Sequence, residues 1–469
     1  MTNDSSILNR PSQAAVLLHA LRAMLAVAGL SIRAAVRSRV VAALLVLLAA
    51  GVIGIPHLVA GDGTPASELQ VRLRYTLAFG VGVLGLATLW ASCAAFGAEI
   101  DSRRMELTAV KPVHPLTLWL GRWLGILLLN VLLLLGVVAG VRIQLGQRFA
   151  GLSDPADTAS LLVSRAIARP LLPAPEHEAQ QTFEELRRAK RLPQDVPAAA
   201  FFHQLVLESR NRYTVLHPGE HASWKFLLSQ PIAKEGRFWI RMRFDTDAAS
   251  LADVRGVFRL RRPGAPAWDA EAPVNDLVRN ELELPVSAPQ LAGAQALELE
   301  FTYQAAAEAA SLLIQPRRAL AVLTPQGTFT GNLVRVMLAQ CAILAALAAL
   351  GLTLGACFSF PVAAFAATAL LLVVLVTAGN VPENLQAAFI GNQHPGLMAQ
   401  VSFAVTRGVD ALTQPLLQPE PLSQAVAGER VPAPELWQVL FWGGLVYPLV
   451  LALIAGRVLR RRELAKQGA

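Results

Sequence analysis

Charge is scarce in this chain. Of its 469 residues only 16% are Asp, Glu, Lys or Arg and 54% are hydrophobic, whereas an ordinary soluble domain carries about 25% charged residues. That balance implies a chain solvated partly by lipid. Cysteine is rarer still: Cys93, Cys341 and Cys357 all lie in or beside apolar runs. No disulfide framework therefore supports the polar middle of the chain, and the three thiols read as small apolar side chains. The eight histidines are scattered and form no metal-ligand cluster. Neither a G-x-x-x-x-G-K-[ST] loop nor any Gly-Lys pair occurs, so the chain cannot cradle nucleotide phosphates in that way. A net charge of +8 would suit nucleic acid, but the positive residues crowd the ends of apolar runs. With no basic stripe interleaved with aromatics, nucleic acid is not an expected partner.

What the chain has instead is long apolar runs. A membrane span needs about 20 mostly apolar residues, and six runs qualify: Val40–Ala60, Tyr75–Ala98, Leu116–Val141, Leu333–Ala356, Pro361–Ala378 and Leu436–Val458. Before them lies Ala14–Ile32, apolar but broken by His19 and Arg22 and followed by Arg33. Arginines on its C-terminal side and the absence of a small-residue cleavage site argue against a signal peptide. It reads as an amphipathic helix in the cytoplasmic interface, the alternative being a seventh span. The span interiors hold essentially no Asp, Glu, Lys or Arg. Arg122 and Arg335 sit near helix ends, where they can reach the interface. Ion-coupled transport and aspartyl intramembrane proteolysis need ionisable groups inside the membrane. No intramembrane histidine is placed to activate a serine, and His57, beside Pro56, reads as a boundary residue. The chain is not expected to be an enzyme.

Six spans put both termini on one side. Arg33, Arg37 and Arg39 precede the first span, Arg103, Arg104 and Lys111 fill the loop after the second, and Arg457, Arg460, Arg461, Arg462 and Lys466 follow the last. The other side has Arg72, Arg74, Arg407 and Arg430 in its short loops. This bias places both termini in the cytoplasm of a multi-pass protein of the cell membrane, a bacterial inner membrane being the expected setting.

The divisions are then residues 1–39 (tail and interfacial helix), 40–143 (spans one to three), 144–331 (an extracytoplasmic domain), 332–378 (spans four and five), 379–435 (an outer loop) and 436–469 (span six and a basic tail). The expected fold is an all-α membrane part of about six spans carrying an inserted α+β domain. Within that domain residues 154–212 read as a helical arm, Glu178–Arg191 and Ala198–Asn211 being its clearest helices. Residues 218–328 read as a β-sandwich. Phe238, Ile240, Met242 and Phe244 alternate with Trp239, Arg241, Arg243 and Asp245, and Leu297–Tyr303 and Leu282–Val286 alternate likewise, which marks strands with one buried and one wet face. Ser223–Leu228, Val254–Arg261 and Leu320–Leu323 complete about six strands. Trp224, Trp239 and Trp268 read either as a ligand-stacking platform or as core and rim packing. In the outer loop, Glu383–Ile390 and Gln400–Gln414 read as short helices.

The stretch Phe96–Trp123 carries the most information. Glu99 and Asp101 are read as opening a short amphipathic helix that runs to Val110, acids near its start and Lys111 near its end suiting the helix dipole. Pro112 and Pro115 stop it before Leu116 begins the next span. This region, residues 99–111 with its flanks, resembles the coupling-helix region of type-2 ABC-exporter permeases: Glu99, Glu106, Leu107, Pro112 and Gly121 match, and Arg122 stands where Lys is usual. The Ala14–Arg39 segment is similar to the family's elbow helix, the Phe358–Ala363 turn to its tight turn between spans four and five, and Arg460–Leu464 to its usual ending. The insertion between spans three and four departs from the family, whose loop there is short.

The resemblance implies a permease subunit that does no chemistry, paired with a second copy or a paralogue within membrane lipid. Each permease would dock a cytoplasmic ABC ATPase subunit through Glu99, Asp101, Arg103, Arg104, Glu106, Leu107 and Lys111, the alternative being a solvated loop that only sets topology. ATP and Mg would sit on that partner, and this chain needs no cofactor of its own. The expected work is export of a substrate or mechanical work across the membrane. The rival is a membrane-anchored structural or sensory protein that displays its β-sandwich to an envelope partner.

Overall fold

The structure, a computed structural model, describes residues 13–37, 39–59, 65–101, 114–149, 163–193, 198–246, 253–277, 281–305, 309–391 and 420–467, with scattered helical residues between 401 and 416. Four helices come first: α1 (Gln13–Val36), α2 (Arg39–Leu58), α3 (Pro65–Asp101) and α4 (Pro115–Phe149). A region rich in β-structure follows from residue 163. After it come α8 (Phe329–Cys357) and α9 (Phe360–Gly391), the short α10 (Pro421–Val426), α11 (Ala433–Phe441), a π-turn at Trp442–Val446, and α12 (Tyr447–Gln467).

Among the described residues six helices are long and apolar enough to cross a membrane: Leu18–Val36, Val41–Leu58, Gln70–Phe96, Pro115–Gln147, Phe329–Cys357 and Ala433–Arg461. The number expected from sequence holds, but the membership differs. Leu18–Val36, read as interfacial, is among them, and the described apolar part of α9, Phe360–Leu375, is shorter. Glu383–Ile390 is no separate helix, because α9 runs on unbroken to Gly391.

Small residues let these helices approach closely, as they must where lipid offers no hydrophobic drive for association. Gly121 and Gly125 of α4, four residues apart, face Met24–Val27 and Ala28–Ser31 of α1 in the same order, so the two helices run parallel. A Cβ on Gly125 would stand 2.9 Å from the Ala28 carbonyl oxygen. Gly351 and Gly355 of α8 repeat the device against α3, where a Cβ on Gly355 would meet the Cys93 carbonyl oxygen at 2.4 Å. Polar ties join the same helices. Thr88 donates to Asn130 at 2.9 Å, and Trp123 Nε1 donates to the Ala345 carbonyl at 2.9 Å. Arg122 does not reach an interface as expected: it is 8% exposed, its guanidinium 4.1 Å from the Phe96 ring centre, where a cation–π contact offsets part of its desolvation.

The β-region opens with β1 (Val163–Ala168), a strand inside the stretch read as helical. Six residues that pair with a partner strand are too few for helical periodicity to identify. Among the described residues the helical arm consists of α5 (Pro175–Arg188) and α6 (Ala198–Arg210), which pack through Ala179, Phe183, Leu205 and Val206. Strands β2 (Thr214–Leu216), β3 (His221–Leu227), β4 (Arg237–Arg243), β5 (Asp245–Thr246), β6 (Asp253–Arg261), β7 (Ala270–Leu277), β8 (Glu281–Ser287), β9 (Ala296–Tyr303) and β10 (Leu312–Ile314) follow. After the four-residue helix α7 (Pro316–Ala319), β11 (Leu320–Thr328) closes the region. Two four-stranded sheets, β1-β11-β4-β8 and β3-β9-β6-β7, enclose one core with a third sheet, β2-β10-β5, at its margin. Phe244 and Phe258 pack on Phe301 with ring centres 5.0 and 4.8 Å away. Alternation works as the sequence implies: Phe238, Ile240 and Met242 are fully buried in that core.

β11 passes into α8 without a loop. Thr328 caps the helix, its hydroxyl accepting the Gly331 N–H at 3.1 Å. The first β-sheet is thus continuous with a span. Filling the α3–α8 contact should be costly: Gly355→Val is expected to lose about 1–3 kcal/mol through overpacking, read as a lowered melting temperature of the detergent-solubilised protein, while Gly82→Ala, with open space around it, should melt as wild type.

Candidate functional site

The face of the β1-β11-β4-β8 sheet turned away from the core is where the β-region meets the helices. Arg241 and Glu283 are direct cross-strand partners on β4 and β8, and Arg165 reaches the same face from the edge strand β1. Sequence alternation marks this face as wet. The structure instead covers it with residues 427–430, on the approach to the last span, leaving the Arg165 and Arg241 side chains only 10% exposed.

Arg165 donates to Glu283 at 2.6 Å and Arg241 to Glu283 at 2.7 Å. Arg241 also pairs with Glu429 and donates to the Ala427 carbonyl at 2.9 Å, while Arg165 donates to the same carbonyl at 3.1 Å. Arg165 lies over the Trp239 ring at 5.2 Å. The backbone joins in: the Arg165 N–H donates to the Gly428 carbonyl at 2.9 Å and the Arg430 N–H to the Arg165 carbonyl at 2.8 Å, an isolated parallel bridge centred on Arg165 and Glu429. The free edge of β1 is thereby closed. Gly428 is required here, since its φ is +71° and a Cβ would stand 2.8 Å from the Arg165 guanidinium.

Segment 427–431 is gripped from its other side by α8. Asn332, 3% exposed, donates to the Glu429 carbonyl at 2.7 Å and accepts the Val431 N–H at 2.9 Å. Arg335 donates to the Val431 carbonyl at 2.9 Å. Just upstream, Leu422 and Val426 of α10 pack with Leu73 and Leu77 of α3 and Leu333 of α8. Residues 427–431 therefore bind the β-region and α8 at once, α10 just before them packs on α3 and α8, and α11 starts two residues later.

The electrostatics are balanced. Burial works to raise Glu283, but Arg165 and Arg241 outweigh it and hold the carboxyl below its ordinary range. Burial likewise works to lower Arg241, and Glu283 and Glu429 carry it above its usual value. Beside this clamp, between the same sheet face and α10, lies a cleft of about 650 Å³.

Of the residues expected to dock an ATPase, Arg103, Arg104, Glu106, Leu107 and Lys111 lie outside the described residues. Glu99 and Asp101 end α3 where they were read as opening a helix, since nothing after Phe96 interrupts that helix. The following helix α4 begins at Pro115, and Arg460 of the last helix contacts His114. The three tryptophans have separate neighbourhoods: Trp224 belongs to the β-core, Trp239 lies under Arg165, and Trp268 lies under Arg261 at 4.3 Å. Among the described residues no group of three or more His, Cys, Asp or Glu could hold a metal ion. The clamp residues were not singled out by sequence, because Glu429 lies 188 positions from Arg241; the only local signal is a run of arginines and glutamates on one strand face. No family model, curated protein or solved structure matches the chain.

Removing one partner of a buried ion pair strands the other, so Glu283→Gln should cost about 3–5 kcal/mol. Breaking the exposed Arg188–Glu184 pair, 3.8 Å apart, should cost under about 1 kcal/mol. Because the Glu283 carboxyl titrates below its unfolded value, its contribution is complete at neutral pH and is lost only as pH falls through the depressed value. The melting difference between wild type and Glu283→Gln should stay constant from neutral pH down to the ordinary glutamate range and shrink below it.

Proposed function

We propose that this chain is the membrane-spanning permease subunit of an ATP-driven ABC exporter, and that it delivers mechanical work from a cytoplasmic ATPase to its β-region on the other side of a bacterial inner membrane. The observation that carries the transmission reading is the double grip on residues 427–431, held by Arg165 and Arg241 from the β-region and by Asn332 and Arg335 from α8. Movement of the last span against α8 cannot leave the β-region unmoved while that grip holds. The unbroken passage from β11 into α8 supplies a second rigid connection.

In this reading both termini are cytoplasmic and residues 99–111 dock the ATPase, which binds ATP and Mg. Two permeases, identical or paralogous, face one another in lipid. The last span has its own compliance: the π-turn at Trp442–Val446 wraps Gly443 against the Ala342 carbonyl, where a Cβ would come within 2.9 Å. Such turns interrupt the regular hydrogen-bond ladder and mark places where helices bend. Closure of the ATPases would push the cytoplasmic ends of the spans, and the arginine clamp would convert that displacement into motion of the β-sheets. The Thr88–Asn130 bond and the contact of Arg122 with Phe96 join α3 and α4.

The docking assignment is tested by a mild-detergent pull-down of the tagged chain. Wild type should retain a stoichiometric protein with a Walker A loop, and the Arg103→Glu, Arg104→Glu double variant should lose it. Full retention by the variant would overturn the docking assignment; absence of any ATPase from wild type, in detergent and in crosslinked membranes, would overturn the permease reading.

A further inference from the structure

The cleft beside the clamp has a charge pattern that the clamp does not use. Four arginines and four carboxylates line it, giving a formal charge of zero, so it has no net field to gather anions. Most of these charges are already matched. Arg241 holds Glu281 at 3.2 Å and also Glu429, and Arg243 holds Asp245 at 3.5 Å. Arg169, Arg318 and Glu420 are left with no ion-pair partner among the described residues. They stand on opposite walls. Arg169 follows β1, its guanidinium steadied by a 2.9 Å bond to the Arg317 carbonyl, and Arg318 lies on α7. Glu420 precedes α10, and among the described residues its carboxylate accepts only the Ser423 hydroxyl, at 2.8 Å.

We propose that this cleft binds a zwitterionic ligand, its phosphate or carboxylate held by Arg169 and Arg318 and its primary ammonium by Glu420, which is the headgroup chemistry of an ethanolamine phospholipid. Guanidinium forks match phosphate oxygens, and a primary ammonium supplies the donors that a lone carboxylate accepts. The volume lies within the usual range for small-molecule sites. The location fits a headgroup: α10 plants Leu422 and Val426 among α3 and α8 at the ends of the spans, while Glu420 faces the cleft. A ligand bridging the two walls would fasten α10 to the β-sheet alongside the clamp and stiffen the joint through which force passes. This goes beyond the transmission reading.

The test is native mass spectrometry of the full chain in detergent, titrated with phosphatidylethanolamine, phosphatidylcholine and phosphatidylglycerol. Phosphatidylethanolamine should be retained about tenfold better than either, the worth of one charge-assisted hydrogen bond. Arg318→Gln should weaken retention of all three lipids, and Glu420→Gln should bring phosphatidylethanolamine down to phosphatidylglycerol. Both residues are exposed, so both variants should melt as wild type. Soluble glycerophosphoethanolamine separates the sources: displacement of the lipid at comparable concentration identifies a free zwitterion as the ligand, and failure to displace it identifies the membrane lipid. Equal retention of the three lipids, retention unchanged in Arg318→Gln, or a preference unchanged in Glu420→Gln would overturn the proposal. No ATPase enters this measurement, so such a failure would leave the transmission reading standing.

Discussion

Two arginines and two glutamates held largely out of water at one joint dictate how the β-region sits on the membrane helices. Desolvating four charges is expensive, and the arrangement persists only because each charge has a partner and the remaining donors find carbonyls. Glu283 takes both arginines, Glu429 takes Arg241, and the Ala427 carbonyl takes what is left of both guanidiniums. Such a set is satisfied in one geometry and badly unsatisfied in its neighbours. It therefore fixes position more than it adds stability, and a joint of that kind suits the transfer of displacement.

Everything around the joint reinforces a single placement. The edge of β1 is capped by backbone bonds to residues 428 and 430, and Asn332 reads the same segment from the helix side. β11 enters α8 with its cap formed by Thr328. Glycines at 121, 125, 351 and 355 bring the spans near enough for their backbones to touch, so that displacement of one helix is felt by its neighbours without passing through flexible side chains.

Much of this architecture was legible in the residues. Long apolar runs identify the membrane part, and strict alternation identifies β4, β8 and β9, because a strand with one face in a core must alternate; β3, β6 and β11 were read as further short strands beside them. Short strands such as β1, β2, β5 and β10 escaped, since two to six residues carry no period of their own and are strands only by virtue of their partners. The length of α9 escaped because Gly379–Gly391 holds polar residues that read as a loop. The clamp was half visible: Arg241 and Glu283 stand at the polar positions of their strands, but nothing local shows that a distant glutamate will cover them. Buried ion pairs between remote segments are a property of the fold, and sequence periodicity registers only which face each residue takes.

The account stands on the claim that the clamp holds the β-region to the spans. Spin labels on the exposed turn at Gly264 and on the C-terminal end of the last span at Arg461 report that relation directly, through their distance distribution by double electron–electron resonance. With Glu429→Ala, the wild-type distribution, narrow and single, should broaden into several distances while each label's own mobility is unchanged. A distribution that stays narrow and unmoved after the clamp is broken would contradict the account.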